Sequence, residues 1–255
     1  MWSGIMASME ITVDDVKFLR SCVDAIVNLI EEGTLELGSD AMGVRAMDAS
    51  QIAMVVFSAP KSAFAGYKVS GSEKVGVNFA DLSKILGRGR SKDKLIIKRK
   101  ENKLELEFRG KGSKRHFSLP LLEDAGGGQK EPKVEHDALV KIRGGEFKEM
   151  LRDVALVSSH LTMEAKGKEF MVSAKGDSAE MSAVSEKGEK KEFEVDAKKE
   201  ARATFPLQYL DDIAKACPDD ELMSIHLRSN KPVKLDYKIG KAGLTYYLAP
   251  RIEDE

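Results

Sequence analysis

Between residues 35 and 57 apolar and polar side chains alternate, with Leu35, Leu37, Val44, Ala46 and Val55 on the apolar positions. A two-residue period of this kind marks half-buried strands. The pattern returns at Leu161, Met163, Phe170, Val172 and Met181, a shift of 126 residues from Leu35 to Leu161. Helical spacing shows the same duplication. Val16, Leu19, Val23 and Ile26 predict one amphipathic helix, and Phe147, Met150, Val154 and Val157 repeat it 131 residues on. A shorter helix with Leu82, Ile85 and Leu86 returns as Leu207, Leu210 and Ile213, with Leu82 mapping onto Leu210 at a shift of 128. Leu104, Leu106 and Phe108 return as Val233, Leu235 and Tyr237 at 129, and the turn Glu101-Asn102-Lys103 as Ser229-Asn230-Lys231. Small loop insertions account for the spread of shifts, so the chain reads as two homologous units.

The helices are expected to start near residues 16, 80, 146 and 207. Strands are expected at 53–57, 95–100, 104–109, 170–174, 179–185, 222–228 and 233–239. Runs of strands with few helices predict an α+β fold of two similar domains, with antiparallel sheets and the helices gathered on one face. Pro120, Gly126 to Gly128 and Pro132 bracket charged residues, which is linker composition. The expected division is an N-terminal domain over 1–118, a connector over 119–133 and a C-terminal domain over 134–255. The mostly charged stretch 186–202 reads as solvated loop and strand edge.

Bulk composition narrows the function classes. Of 255 residues, 42% are hydrophobic and 33% charged, as in a soluble globular protein. The 41 basic and 42 acidic residues leave a net charge of −1, so bulk charge gives no argument for nucleic acid. No apolar run approaches a membrane span, and Met1 to Glu10 lacks the features of a signal peptide. Met6 or Met9 would serve equally as a start. Two cysteines, Cys22 and Cys217, fit packed thiols in a reducing compartment.

No catalytic constellation stands out. There is no phosphate loop of the G-x-x-x-x-G-K type, and Gly87-Arg88-Gly89-Arg90 lacks the strand-to-helix context of a dinucleotide site. His116, His136, His160 and His226 are scattered, without metal-ligand spacing. The expectation is a protein with no enzyme activity, cofactor or metal. The cations on the helices, among which Lys17 maps onto Lys148 at the same shift of 131, carry two readings. Lys17, Arg20, Lys84, Arg88, Arg90, Lys148, Arg152 and Lys215 are either solvent-facing members of mixed-charge faces or a repeated basic surface for phosphates.

Four stretches resemble one family. They are Gly43-Val-Arg-Ala-Met-Asp-Ala-Ser50, Gly76-Val-Asn-Phe-Ala-Asp-Leu-Ser-Lys-Ile-Leu86, Gly145-Glu-Phe-Lys-Glu-Met-Leu-Arg-Asp153, and Leu235-Asp-Tyr-Lys-Ile-Gly240 followed by Tyr246-Tyr-Leu-Ala-Pro-Arg-Ile-Glu-Asp-Glu255. Their order and spacing are similar to those of the archaeal and eukaryotic sliding clamp, proliferating cell nuclear antigen, from about Ile11 to Glu255. The resemblance implies a ring of three subunits around duplex DNA, with helices lining the hole and sheets outside. It implies a processivity factor that tethers DNA polymerase, clamp loader, flap nuclease and ligase through short peptide motifs, cytoplasmic and nucleoid-associated in an archaeon or nuclear in a eukaryote. The eight helix cations named above would then face DNA, with Gly87 departing where some members carry a cation. Met47, Gln51, Ile52, Met54, Leu121, Pro232, Tyr247, Ala249, Pro250 and Ile252 match the walls of the partner-peptide pocket. The subunit edges would lie near 111–119 and 178–186. The connector departs from the family, because Glu123-Asp-Ala-Gly-Gly-Gly-Gln-Lys130 lacks its apolar cover. An open pocket front with a larger ordering cost for peptides follows, which Gly126→Leu or Gly127→Leu would alter. A subunit of a heteromeric clamp ring, a checkpoint-type clamp and an enzyme on a duplicated α+β fold are the alternatives, and mass in solution separates them.

Overall fold

Asp15 starts the first helix by accepting from the backbone N–H groups of Lys17 and Phe18, and Asn78 starts the second by accepting from that of Asp81. Such caps satisfy donors that a helix start leaves unpaired. In this computed structural model, which describes residues 9–90, 92–123, 128–186 and 193–251, the first half runs β1 (Met9–Val13), α1 (Val16–Val27), β2 (Glu32–Leu37), β3 (Ala41–Met47), β4 (Ala53–Pro60), β5 (Gly66–Val69), β6 (Glu73–Asn78), α2 (Phe79–Leu86), β7 (Lys94–Lys100), β8 (Lys103–Gly110) and β9 (Ser113–Pro120). The second half repeats that order as β10 (Ala138–Arg143), α3 (Gly144–Ala155), β11 (His160–Lys166), β12 (Glu169–Lys175), β13 (Glu180–Glu186), β14 (Glu194–Ala197), β15 (Ala201–Pro206), α4 (Leu207–Lys215), β16 (Leu222–Leu227), β17 (Val233–Ile239) and β18 (Ala242–Leu248).

The chain forms two compact units. One comprises Met1–Ala46, Val56–Gln129 and Ile239–Gly243, the other Met47–Val55, Lys130–Lys238 and Leu244–Glu255. The first carries the strand orders β5-β1-β7-β8-β9 and β4-β3-β2-β6. The second carries the equivalent orders β14-β10-β16-β17-β18 and β13-β12-β11-β15. Every strand pairing with a described register is antiparallel, for example Ile11 opposite Ile97 and Val140 opposite Ile225. β9 and β13 each end a sheet.

The duplication has a different register from the one hydrophobic periodicity suggests. Val16 and Gly144, Glu32 and His160, Ala41 and Glu169, Gly66 and Glu194, Phe79 and Leu207, and Lys94 and Leu222 all open equivalent elements 128 residues apart. The buried positions agree: Val16, Leu19, Val23 and Ile26 of α1 correspond to Gly144, Phe147, Leu151 and Val154 of α3. The expected shift of 131 slips the helix by three residues, and that of 126 slips the strands by two. Both slips keep apolar on apolar, because three is close to one helical turn and two is the strand period.

Each unit buries one face of its sheets against its helices. In the second unit Tyr237 and Tyr246 stack in the core, and their buried hydroxyls are satisfied by one another at 3.0 Å and by the carbonyl of Ile213 at 3.0 Å. A buried phenol without such partners would cost more than its ring gains.

Candidate functional site

The helix cations do not form one uniform surface. Lys17, Arg20, Lys84, Arg88, Arg90, Arg152 and Lys215 are exposed. Several are engaged: Arg20 lies 3.4 Å from Asp24, Lys84 bonds Asp81 at 2.8 Å, and Arg152 pairs with Glu149. Surface pairs of this kind contribute little to stability but cancel local charge. Lys148 differs from expectation. Its side chain is only 16% exposed, and its ammonium donates to the carbonyl of Cys217 at 2.6 Å and to Asp219 at 2.7 Å. It ties α3 to the loop after α4. Its equivalent in the first unit is Arg20, and that of Lys17 is Gly145, so the expected pairing of Lys17 with Lys148 is corrected.

Most of the expected peptide-pocket residues belong to the second unit, and a buried carboxylate organises them. Asp48 accepts from the N–H groups of Ser50 at 3.0 Å, Ile52 at 2.8 Å and Ala53 at 2.7 Å, and from the hydroxyl of Tyr209 at 2.9 Å. Burial pulls its pKa upward, but the bonds from Ala53, Tyr209, Ser50 and Ile52 outweigh that pull, and the carboxyl sits below its ordinary range. The turn so made holds Gln51 at a φ of 59° and leaves Ile52 36% exposed. The N–H of Ala249 donates to the carbonyl of Ile52 at 2.9 Å, which brings Ala249 and Pro250, both half-buried, beside Ile52. Met47 and Pro232 are also half-buried.

Met54 and Tyr247 depart from expectation, with exposures of 3% and 7%. They support the walls from within and present almost no surface. The hydroxyl of Tyr247 donates to Glu131 at 3.2 Å, so it fastens the C-terminal end of the connector. Leu121 lies in the first unit, where its N–H donates to the carbonyl of Asn102 at 2.9 Å. Ile252, Gly126 and Gly127 lie outside the described residues. Sequence reasoning missed Asp48, Tyr209 and Glu131. An aspartate followed by Ala, Ser and Gln is a legible turn signal, whereas Tyr209 lies 161 positions from Asp48 and carries no local cue.

Two of the four scattered histidines also meet. His136 and His226 have ring centroids 5.4 Å apart, and His226 lies 2.9 Å from Asp236. Burial raises the Asp236 pKa, but bonds from His226, Thr245 and Lys234 lower it further, and the net shift is downward. Its contribution to stability is therefore present above the unfolded carboxyl pKa, about 3.9, and is lost as pH falls through the folded value. Asp236→Asn is expected to lower stability at pH 7 and to flatten its fall in acid, below the unfolded carboxyl pKa of about 3.9. Urea unfolding across that range checks it, and an unchanged acid limb would refute the linkage.

Among the described residues no cluster of His, Cys, Asp and Glu could hold a metal, and no helix is long and apolar enough to cross a membrane. Both cysteines are buried, and burial pushes each thiol up to about 12, the pattern of packed, unreactive thiols.

Two copies of one α+β unit, each with paired helices and antiparallel strands in the same order, define a DNA clamp fold. The sequence model of the proliferating cell nuclear antigen N-terminal domain matches residues 8–120, and that of its C-terminal domain residues 130–252. The DNA polymerase sliding clamp of Thermococcus gammatolerans is 32% identical over 247 residues, covering 96% of this chain and 99% of that one. The clamp of Methanococcus maripaludis strain C5 is 32% identical over 240 residues, covering 92% and 95%. Among solved structures, the proliferating cell nuclear antigen of Thermococcus kodakaraensis superposes with a TM-score of 0.89 at 23% identity, over 95% of this chain and 100% of that one, a likeness of fold. That of A. fulgidus, bound to the C-terminal region of FEN-1, has a TM-score of 0.87 at 26% identity, over 97% and 100%. The chain belongs to the proliferating cell nuclear antigen family. It is a DNA polymerase sliding clamp, a processivity factor without catalysis of its own, as the sequence reading expects.

Proposed function

We propose that three copies of this chain close into a ring around duplex DNA and hold replication and repair enzymes on it by topology. The observation that carries this reading is the 128-residue duplication, in which the strands and α-helices of one unit recur in the same order in the other. Near-equivalent units joined head to tail generate a closed ring when the rotation closes. β9 and β13, at the ends of their sheets, supply the edges for that junction, and joining them removes two liabilities at once. The exposed cations of α1 to α4 meet phosphates without reading bases, so the ring slides.

Partners dock as short peptides on Met47, Ile52, Pro232, Ala249 and Pro250, with Gln51 on the rim. The related clamp of A. fulgidus binds the C-terminal region of FEN-1, and a flap nuclease peptide is one such partner here. Polymerase, clamp loader and ligase use the same site in turn. Each gains from the high local concentration that tethering provides. Because the curated relatives named above are from archaea, the protein works in the cytoplasm at the nucleoid.

Light scattering is expected to give three times the chain mass. Once placed by a clamp loader, the protein should stay on circular duplex and run off linear ends. Equal retention on both would overturn sliding, and a monomer would show that the ring needs other chains.

A further inference from the structure

The segment 131–137 carries the connector into β10, and it is fastened to the second unit beside the peptide pocket. At Glu131 it accepts from the hydroxyl of Tyr247 at 3.2 Å. At His136 a ring nitrogen faces the carbonyl of Pro232, and the ring centroid lies 5.4 Å from that of His226. Pro232 is a wall of the pocket, and Tyr247 supports the walls from within. Beyond His136 the chain is locked. The N–H of Asp137 donates to the carbonyl of Leu227 at 2.9 Å, and β10 then pairs with β16. His136 therefore sits where the connector gives way to the sheet.

The sheet surface beneath His136 is charged. His226 of β16 stands opposite Lys234 of β17, and Asp236 follows on the same face. Asp236 accepts from His226 at 2.9 Å, from Lys234 at 3.0 Å and from Thr245 at 2.5 Å. Arg228 of β16 lies 3.6 Å from Glu135 and 3.6 Å from Asp137. The carboxylates around His136, Glu131 included, thus have partners already. Its own Nε2 is buried and has no hydrogen-bond partner among the described residues. In a charged ring both nitrogens carry protons, and that of Nε2 would have nothing to donate to. Burial holds the His136 pKa below the usual histidine value, and the His226 ring and the Lys234 ammonium push it the same way. The Pro232 carbonyl and Asp236 pull upward and are outweighed.

A neutral His136 therefore favours the seated connector. That preference is complete above the pKa of a released histidine, about 6.5. As pH falls below it, the released segment takes up a proton that the seated one resists, and the preference declines until the seated ring titrates too. A released segment must be ordered again when a peptide binds, and that ordering is subtracted from affinity.

We propose that His136 is a positioning residue of the peptide pocket: neutral, it holds the connector end against Pro232, and protonated, it releases that wall, so that partner peptides bind more weakly in mild acid. The inference rests on the docking reading above and adds regulation by protons to the same site.

Calorimetric titration of the whole chain with a histidine-free peptide from the C-terminal region of a flap nuclease tests it, at about pH 8 and about pH 5.5, which bracket the histidine range. Affinity of the parent is expected to fall about fivefold between them, the low end of ordinary coupling between two sites. His136→Asn keeps a side-chain donor for the Pro232 carbonyl and cannot be charged, so its ratio between the two conditions should drop to near one. His160→Asn, in β11 and bonded to Ser158 and Ser159 outside the cluster, should retain the parent's ratio. Light-scattering mass and urea midpoint in both conditions verify that each protein is folded and assembled. Equal affinity of the parent in both would overturn the switch and leave the pocket standing. A ratio that survives in His136→Asn, or is lost in His160→Asn, would overturn it as well. Peptide binding in neither condition would remove the docking reading itself.

Discussion

Asp48→Ala is expected to destabilise the protein by about 3 kcal/mol, roughly a hundredfold in the folding equilibrium. The carboxylate accepts three backbone N–H groups and one phenol and is 8% exposed. Removing it leaves donors in a turn that the remaining backbone cannot reach. Hydrogen bonds to a charged acceptor are worth about 1.5–3 kcal/mol, and unsatisfied buried donors cost about 1–3 each. Tyr209→Phe deletes one bond of the four and should cost only about 1 kcal/mol. The sign of the pH effect follows from the lowered carboxyl. Its stabilisation is complete above the unfolded pKa, about 3.9, and disappears as pH falls through the folded one, so the gap between wild type and Asp48→Ala narrows in acid. Urea unfolding at pH 7 and again in acid measures both. The same substitution should weaken binding of a flap nuclease peptide, since Gln51 and Ile52 lose the anchor of their turn. A variant with unchanged midpoint and unchanged peptide affinity would show that Asp48 holds neither.

Much of this was legible in the residues, and the exceptions share a cause. Helix starts and most strands follow from periodicity and caps, because both are local. The duplication is legible too, but its register is not. Slipping α3 by three residues against α1 exchanges Leu151 for Val154 opposite Val23, and both are apolar. A period cannot report a displacement by itself. The consequence reached the site: pairing Lys17 with Lys148 made the cations look duplicated, whereas Gly145 stands opposite Lys17. Side-chain engagement was hidden for a different reason. Lys148 reads as a solvent-facing lysine until Asp219, 71 positions away, is placed beside it. Met54 and Tyr247 matched the pocket by position along the chain, but only packing decides how much of a strand residue reaches the surface.

Gly176→Ala is expected to disrupt ring closure as well as folding. A Cβ at Gly176 would lie 2.1 Å from the carbonyl oxygen of Val157. That oxygen cannot swing aside like the tip of a side chain. Its segment is fixed to the end of α3 by the N–H groups of Val157 and Ser158, which both donate to the carbonyl of Val154 at 2.9 Å. Gly176 in turn closes the β12–β13 connection by donating to the carbonyl of Ala179 at 2.9 Å. The strain therefore passes into β13, which has a partner strand on one side only. Overpacking of this kind typically costs about 1–3 kcal/mol. The larger effect is on assembly, because an edge strand that moves away from α3 no longer presents its backbone in register to a neighbouring copy. Light scattering over a range of concentrations should show the variant shifting from trimer toward monomer where the parent remains closed. Gly243→Ala, with nothing within 4 Å of its Cβ, should alter neither mass nor midpoint. A Gly176→Ala protein that is destabilised yet fully trimeric would locate the strain in the turn alone and exclude β13 as the closing edge. Destabilisation and dissociation rising together would tie the packing of one glycine against α3 to the topology on which the clamp depends.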